Sequence, residues 1–158
     1  MANETLTVRE KPIQVGMTAP DFTLTTQDRA EWMLGNELKK GEVVLCFYPL
    51  DFSPVCSTEM KCVTEEMDRW TAKSAQVVGI SCDSFYAHKA WAAQLGLKQT
   101  LLADMHRAVS KAYGFFWPDL NVSTRGTVVI GRDGNVKWVQ AREPKNAMNL
   151  EEMLAAIG

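Results

Sequence analysis

The chain has no long apolar run, almost no net charge and few histidines. Its longest apolar stretch is about eight residues, around Val43–Leu50, far short of the ~18 needed to span a bilayer. The segment from Met1 to Glu10 lacks the apolar core of a secretory signal. A formal net charge of −2 gives no electrostatic basis for nucleic acid or an anionic membrane as the main partner. The two histidines, His88 and His106, are far in sequence from any plausible third ligand, and no Cys-x-x-Cys occurs. A zinc site or a thioredoxin-style dithiol is therefore not indicated. Internal repeats, low-complexity segments and linkers are also missing. What remains is 158 residues of ordinary globular composition, 46% hydrophobic and 23% charged, enough for one domain over residues 1–158 with a single core. A cytoplasmic location is expected. In that compartment the four cysteines, Cys46, Cys56, Cys62 and Cys82, are free or redox-active rather than a disulfide framework.

Apolar periodicity outlines an α/β protein. Residues 43–48 read as a buried strand ended by Pro49, because proline cannot continue a ladder. From Pro54 to Lys73, Cys56, Met60, Val63, Met67 and Trp70 recur at three- and four-residue steps, the stripe of an amphipathic helix. Residues 75–81 suit a parallel strand, and Ser84 caps a helix running through Leu95 to Gly96. A strand at 100–103 and a helix from His106 to Tyr113, ended by Gly114, come next. Strands at 127–130 and 136–140 flank Arg132-Asp133-Gly134-Asn135, a hairpin signal, and a capped helix closes the chain at 149–157. Residues 16–24 start as turn and become strand, whereas 27–40 give no clear pattern. Alternating strands and helices followed by a late hairpin imply three layers around a mixed central sheet.

Chemistry concentrates in the run from Cys46 to Cys56. Ser53 stands as N-cap and Pro54 as the first helical residue, which puts Cys56 in the first turn. Backbone N–H groups there have no intrahelical acceptor, and the positive end of the helix dipole favours a thiolate. An ordinary cysteine, with a pKa near ~8.5, is only a few per cent ionised at neutral pH, so placement of this kind decides reactivity. The competing reading of Cys56 is a small buried hydrophobe. Ser53 is either cap or hydroxyl donor to whatever meets the sulfur. Arg125 on its own reads as a solvated charge at a strand start. Phe115-Phe116-Trp117, with Phe52 and Trp91, make either core packing, an apolar collar or a dimer face.

Pro49-x-x-x-Ser53-x-x-Cys56 resembles the Pro-x-x-x-Thr/Ser-x-x-Cys motif of the peroxiredoxins, thiol peroxidases with a thioredoxin-like fold. Val15-Gly-x-x-Ala-Pro-Asp-Phe22, Gly79-Ile-Ser-x-Asp-Ser84, His88-Lys-Ala-Trp91 and Arg125-Gly-Thr-Val-Val-Ile130 extend the likeness over most of the chain. The short stretch after Val139 is similar to the smaller branches, the bacterioferritin comigratory (Q) type or the alkyl hydroperoxide reductase E type. The resemblance implies that Cys56 is the peroxidatic nucleophile, with Pro49, Ser53 and Arg125 as companions. Glu59, three residues beyond Cys56, is either an ion-pair partner that orients Arg125 or an exposed helical glutamate. It implies reduction of hydrogen peroxide or organic hydroperoxides without metal or organic cofactor. A thioredoxin-like or other thiol is the expected reductant, and a monomer or homodimer the expected assembly. The rival is a redox sensor that uses Cys56 with little turnover.

Recycling stays open at the level of sequence. Cys62 is the candidate resolving residue, but on an intact helix its Cα lies about 10 Å from that of Cys56 and roughly 120° around the axis. A disulfide needs Cα atoms within about 7 Å, so pairing requires unwinding. Q-type relatives also place their resolving cysteine at a different spacing. Cys46 and Cys82, inside and at the end of strands, read as packing residues. Direct reduction by an external thiol is the alternative.

Overall fold

The computed structural model describes residues 3–142, 146 and 148–158. The stretch after Val139, on which the choice of branch was read, lies partly outside them. A seven-stranded sheet forms the middle layer, in the order β2-β1-β5-β4-β3-β8-β9. Its strands are β1 (Thr23–Thr26), β2 (Glu31–Met33), β3 (Val43–Phe47), β4 (Gln76–Ser81), β5 (Leu101–Ala103), β8 (Arg125–Ile130) and β9 (Val136–Arg142), while β6 (Phe116–Trp117) and β7 (Val122–Ser123) make a separate small ribbon. β3, β4 and β5 run parallel, β8 lies antiparallel beside β3, and β9 lies antiparallel beside β8 at the sheet edge. This is the mixed sheet of a thioredoxin-like fold, as expected.

Every residue of β3 is buried, since a central strand is covered on both faces. Its side chains alternate between two cores. Leu45 and Phe47 join Val78, Ile80, Val128 and Ile130 beneath α1 (Leu34–Leu38) and α5 (Ala108–Ala112). Val44, Cys46 and Tyr48 join Val77 and Val129 beneath α2 (Pro54–Glu65), α3 (Met67–Thr71), α4 (Phe85–Leu95) and α6 (Leu150–Ala156). Cys56 lies on the second face.

Local signals set most boundaries. The Ser84 side chain accepts from the Ala87 amide at 3.1 Å, and Gly96 ends α4 in the left-handed region at φ 67°. Asn149 caps α6 by accepting from the Glu152 amide at 3.2 Å. Other expectations are corrected. The helix expected from Pro54 to Lys73 is two helices, because Glu66 leaves helical geometry at φ −100°, ψ 14°. Its amide still reaches the Cys62 carbonyl, and the redirected chain buries Trp70 against the second core. The helix expected from His106 begins at Ala108: Arg107 is left-handed at φ 63°, and the buried Asp104 carboxylate accepts the Val109 and Ser110 amides at 3.2 and 2.7 Å. The unpatterned 27–40 stretch holds β2 and α1, and the β6–β7 ribbon had no sequence signal.

Gly126, next to Arg125 on β8, points at the other face, and a Cβ there would overlap the Phe115 ring, which packs on Phe47 at a centroid distance of 5.0 Å. Gly126→Ala should therefore destabilise the protein by about 1–3 kcal/mol and lower Tm by about 3–10 °C. Thermal denaturation followed by circular dichroism checks this, and an unchanged Tm would refute the packing argument.

Candidate active site

The turn between β3 and α2 is built from residues that each fix one step of the backbone. Pro49 follows the strand and is buried. Phe52 is left-handed at φ 68°, a conformation that costs a non-glycine residue on the order of 1 kcal/mol. Pro54 opens the helix at a position where its missing N–H is no loss. Cys56 accordingly lies in the first turn of α2, fully buried and unpaired. Arg125, whose strand neighbours β3, donates from Nη2 to Cys56 Sγ at 2.8 Å. It is 2% exposed, so it is no solvated strand-start charge.

Ser53 occupies the N-cap position, yet its hydroxyl accepts from no helix amide. It donates to the Leu50 carbonyl at 2.9 Å. Neither role expected of that hydroxyl, cap or donor to the sulfur's ligand, is in use in this state; the hydroxyl braces the turn instead.

Glu59 lies one turn after Cys56 and is buried at 2% exposure, not a surface glutamate. Its Oε2 is 3.9 Å from Arg125 Nη1, 3.1 Å from Arg142 Nη2, and accepts from the Met148 amide at 2.7 Å. Arg142 was not anticipated. It sits directly across from Arg125 in the β8–β9 register and also donates to Thr127 Oγ1 at 2.8 Å. The signal existed: the hairpin turn fixes the register, and extending alternation past Gln140 puts Arg142 on the face of Arg125.

A second network missed from the sequence supports the turn from the other side. The Tyr48 hydroxyl donates to Asp51 Oδ1 at 2.7 Å, and Asp51 Oδ2 lies 2.6 Å from His88 Nδ1. His88 Nε2 is 3.1 Å from the Leu102 carbonyl oxygen, and the Asp51 amide donates to Asp83 at 2.9 Å. Burial, with the Asp51 carboxylate next in importance, pushes the Tyr48 phenol well above its usual range, so it stays a neutral donor. Trp91 stacks beside Tyr48 at 5.4 Å and its Nε1 donates to Ser57 Oγ at 3.3 Å. Phe52 lies against Trp91 at 6.3 Å yet is half exposed. The aromatic run is divided: Phe115 belongs to the opposite core.

The four thiols have different surroundings. Cys46 shares the face of Cys56, but burial first and the Glu59 charge second push its thiol far above the ordinary range. Cys82 is on the opposite face, 3.8 Å from Ser110 of α5, and burial with the nearby Asp104 charge pushes it up to about 11. Both are protonated at neutral pH, as packing residues should be. Cys62 is exposed, and the uninterrupted α2 keeps it on a different face of the helix from the buried Cys56. The geometry thus assembles Cys56, Arg125, Glu59 and Arg142 under the turn that contains Pro49 and Ser53, and leaves Cys62 outside.

Comparison with known proteins gives the family. Residues 15–139 match the AhpC/TSA family model. Alkyl hydroperoxide reductase E of Mycobacterium tuberculosis is 34% identical over 134 residues, covering 84% of this chain and 88% of that protein. The reduced 2-Cys peroxiredoxin of Plasmodium vivax superposes with a TM-score of 0.83 at 32% identity, covering 90% of this chain and 79% of the other. Peroxidoxin BcpB of Mycobacterium tuberculosis gives 0.83 at 27% identity, with 91% and 96% covered. The chain belongs to the AhpC/TSA family, the peroxiredoxins, and is a thiol-dependent peroxidase.

Proposed function

We propose that Cys56 is the peroxidatic nucleophile and that the protein reduces hydrogen peroxide or small organic hydroperoxides with thiols as electron donors. The observation that carries this is the Arg125 guanidinium 2.8 Å from Cys56 Sγ, in the first turn of a helix that starts at a proline. A positive group and helix amides favour a thiolate there, and Arg125 cannot itself take up the proton.

The steps follow from this placement. Cys56 Sγ attacks one peroxide oxygen, an S–O bond forms and the O–O bond breaks. The departing oxygen carries negative charge and takes a proton to leave as water or an alcohol. Arg125 and the amides of the first turn are donors already in place for that charge, which spares the reorganisation of water. The Ser53 hydroxyl joins them if peroxide displaces the Leu50 carbonyl. Cys56 is fully buried in this state, so peroxide enters through movement of residues 49–53, where Leu50 and Phe52 are exposed. Pro49 roofs the sulfenic acid that results. One thiol then condenses with it, releasing water and leaving a mixed disulfide, and a second thiol displaces Cys56.

For recycling we infer that the external thiol acts on Cys56 directly. Bonding to Cys62 would require unwinding α2 through Glu59, whose carboxylate is tied to Arg142 and to the Met148 amide. A thioredoxin-like protein or a small thiol fills this role, and a cytoplasmic setting suits it.

Cys56→Ser should abolish peroxide consumption with the fold intact, since serine is nearly isosteric and stays protonated. Survival of more than a few per cent of the rate would reject Cys56 as nucleophile. A single stoichiometric turnover of the unaltered protein, with thiol in excess, would support the sensor reading.

Arg125→Ala should slow the second-order reaction with peroxide by on the order of 10²-fold, the usual cost of losing one preorganised donor. Stopped-flow measurement under single turnover reads it, and an unchanged constant would remove Arg125 from the chemistry.

Cys62→Ser should turn over peroxide within about twofold of the parent, since direct reduction leaves Cys62 unused. Mass spectrometry of the parent after one equivalent of peroxide should find no Cys56–Cys62 bond. Detection of that bond, with loss of turnover in the variant, would establish the two-cysteine route instead.

A further inference from the structure

The arginine side of the site is used by the reaction, and the opposite side holds a buried titratable group that is not. His88 of α4 is fully buried, and both of its ring nitrogens face oxygen acceptors. Nδ1 lies 2.6 Å from Asp51 Oδ2, and Nε2 lies 3.1 Å from the Leu102 carbonyl. A neutral imidazole offers one donor and one acceptor nitrogen. A carbonyl oxygen can only accept, so Nε2 carries a proton. The Tyr48 hydroxyl, 3.4 Å from Nδ1, directs its own proton at Asp51 Oδ1, 2.7 Å away. Nδ1 is thus left to donate to the Asp51 carboxylate, and the ring is fully bonded only as an imidazolium. Asp51 is the middle residue of the 49–53 turn that covers Cys56. Its amide donates to Asp83 Oδ2 at 2.9 Å, an oxygen that also accepts from Ser81 Oγ at 2.6 Å. Tyr48 follows β3, Ser81 ends β4 and Leu102 lies in β5. Asp51 is therefore fastened to the ends of three parallel strands, and His88 makes the link to the third.

We propose that His88 is a positioning residue for the peroxidase reaction: as an imidazolium bridging Asp51 and the Leu102 carbonyl, it holds the turn over Cys56 closed and sets how often that turn opens. This rests on Cys56 being the reactive sulfur and on peroxide entering through residues 49–53. The closed turn keeps Pro49 over the sulfur and the first turn of α2 against Arg125, with the donors to the leaving oxygen in place. An open turn admits peroxide but loses that alignment. Leu50 and Phe52, on either side of Asp51, are exposed, and the Ser53 hydroxyl bonds only within the turn, to the Leu50 carbonyl. Fastening to the sheet therefore falls to Asp51. A buried ion pair that loses one partner leaves the other charge uncompensated, so removing either His88 or Asp51 frees the turn.

Two measurements on the reduced full chain test this. Long-range proton–nitrogen NMR of the histidine rings at neutral pH should show both nitrogens of His88 protonated. The chain has only two histidines, and His106→Gln assigns the signals. An unprotonated Nδ1 overturns the proposal. Glutamine at position 88 can donate to only one of the two acceptors. His88→Gln should therefore speed amide hydrogen exchange across residues 50–57 by about tenfold or more, the effect of breaking a buried pair. Exchange in β3 and β8 should stay as in the parent, and the second-order reaction with peroxide should slow by about tenfold as the alignment is lost. A merely structural role would instead raise exchange throughout the sheet, and that result, or unchanged exchange at 50–57, overturns the proposal. If His88→Gln does not fold, Asp51→Asn decides it. That variant should show the same faster local exchange and slower peroxide reaction, and should leave His88 with a single protonated nitrogen. A doubly protonated ring in Asp51→Asn, or parent-like exchange, overturns the proposal. Loss of the Cys56 reading would show separately, as peroxide turnover surviving in Cys56→Ser, with the NMR and exchange results unaffected.

Discussion

Two guanidinium groups held side by side in an apolar interior set the terms for this molecule. Removing a charge from water costs several kcal/mol unless it is paired and hydrogen-bonded. Arg125 and Arg142 therefore demand anions or acceptors wherever the sheet puts them. The register of β8 on β9 places them opposite each other, and the register of β3 on β8 brings Arg125 to the end of β3. The first two turns of α2 then bring what the pair requires: Glu59 to Arg142 and, one turn earlier, Cys56 to Arg125. Position of the helix and the surroundings of the sulfur are one problem with one solution.

The turn that starts α2 is tied at several points. Pro49 stops the strand, a left-handed Phe52 reverses the chain, and Pro54 opens the helix. The Ser53 hydroxyl bonds back to Leu50, while Asp51 is fixed by Tyr48, His88 and Asp83. The strain at Phe52, on the order of 1 kcal/mol, persists because so many bonds determine the turn. Half of that ring still faces solvent, which leaves one side of the site able to move while the charged side stays anchored.

How much of this could be read from the residues depended on distance along the chain. The start of α2, the Ser84 cap, the Gly96 stop and the Asn149 cap were legible because proline, glycine and capping side chains act within one turn. Cys56, Pro49 and Arg125 were named from a motif and its resemblance, and the fold brings Arg125 onto Cys56. Glu59 was identified but not its burial. The His88–Asp51 pair escaped because its members lie far apart in sequence, and Arg142 because the strand expected at 136–140 stops two residues short of it. The break at Glu66 failed for another reason: the apolar stripe continues through Met67 and Trp70 as if the helix did.

The cysteines show why composition alone was mute about reactivity. Cys46 and Cys56 are both fully buried in the same core, and burial by itself favours the neutral thiol. Cys46 meets burial and the negative charge of Glu59, and its proton is held more tightly. Cys56 meets a guanidinium and the open N–H groups of a helix start. The same carboxylate thus adds to the effect of burial on Cys46 while its nearer cation is Arg142, not the Arg125 that meets Cys56. A chain with both thiols on one sheet face needs that separation, because a second thiolate near Cys56 would compete for Arg125 and for peroxide. Burial first and Glu59 second hold the proton on Cys46, against the pull of Arg142, whereas at Cys56 the nearest charge is the Arg125 guanidinium at 2.8 Å.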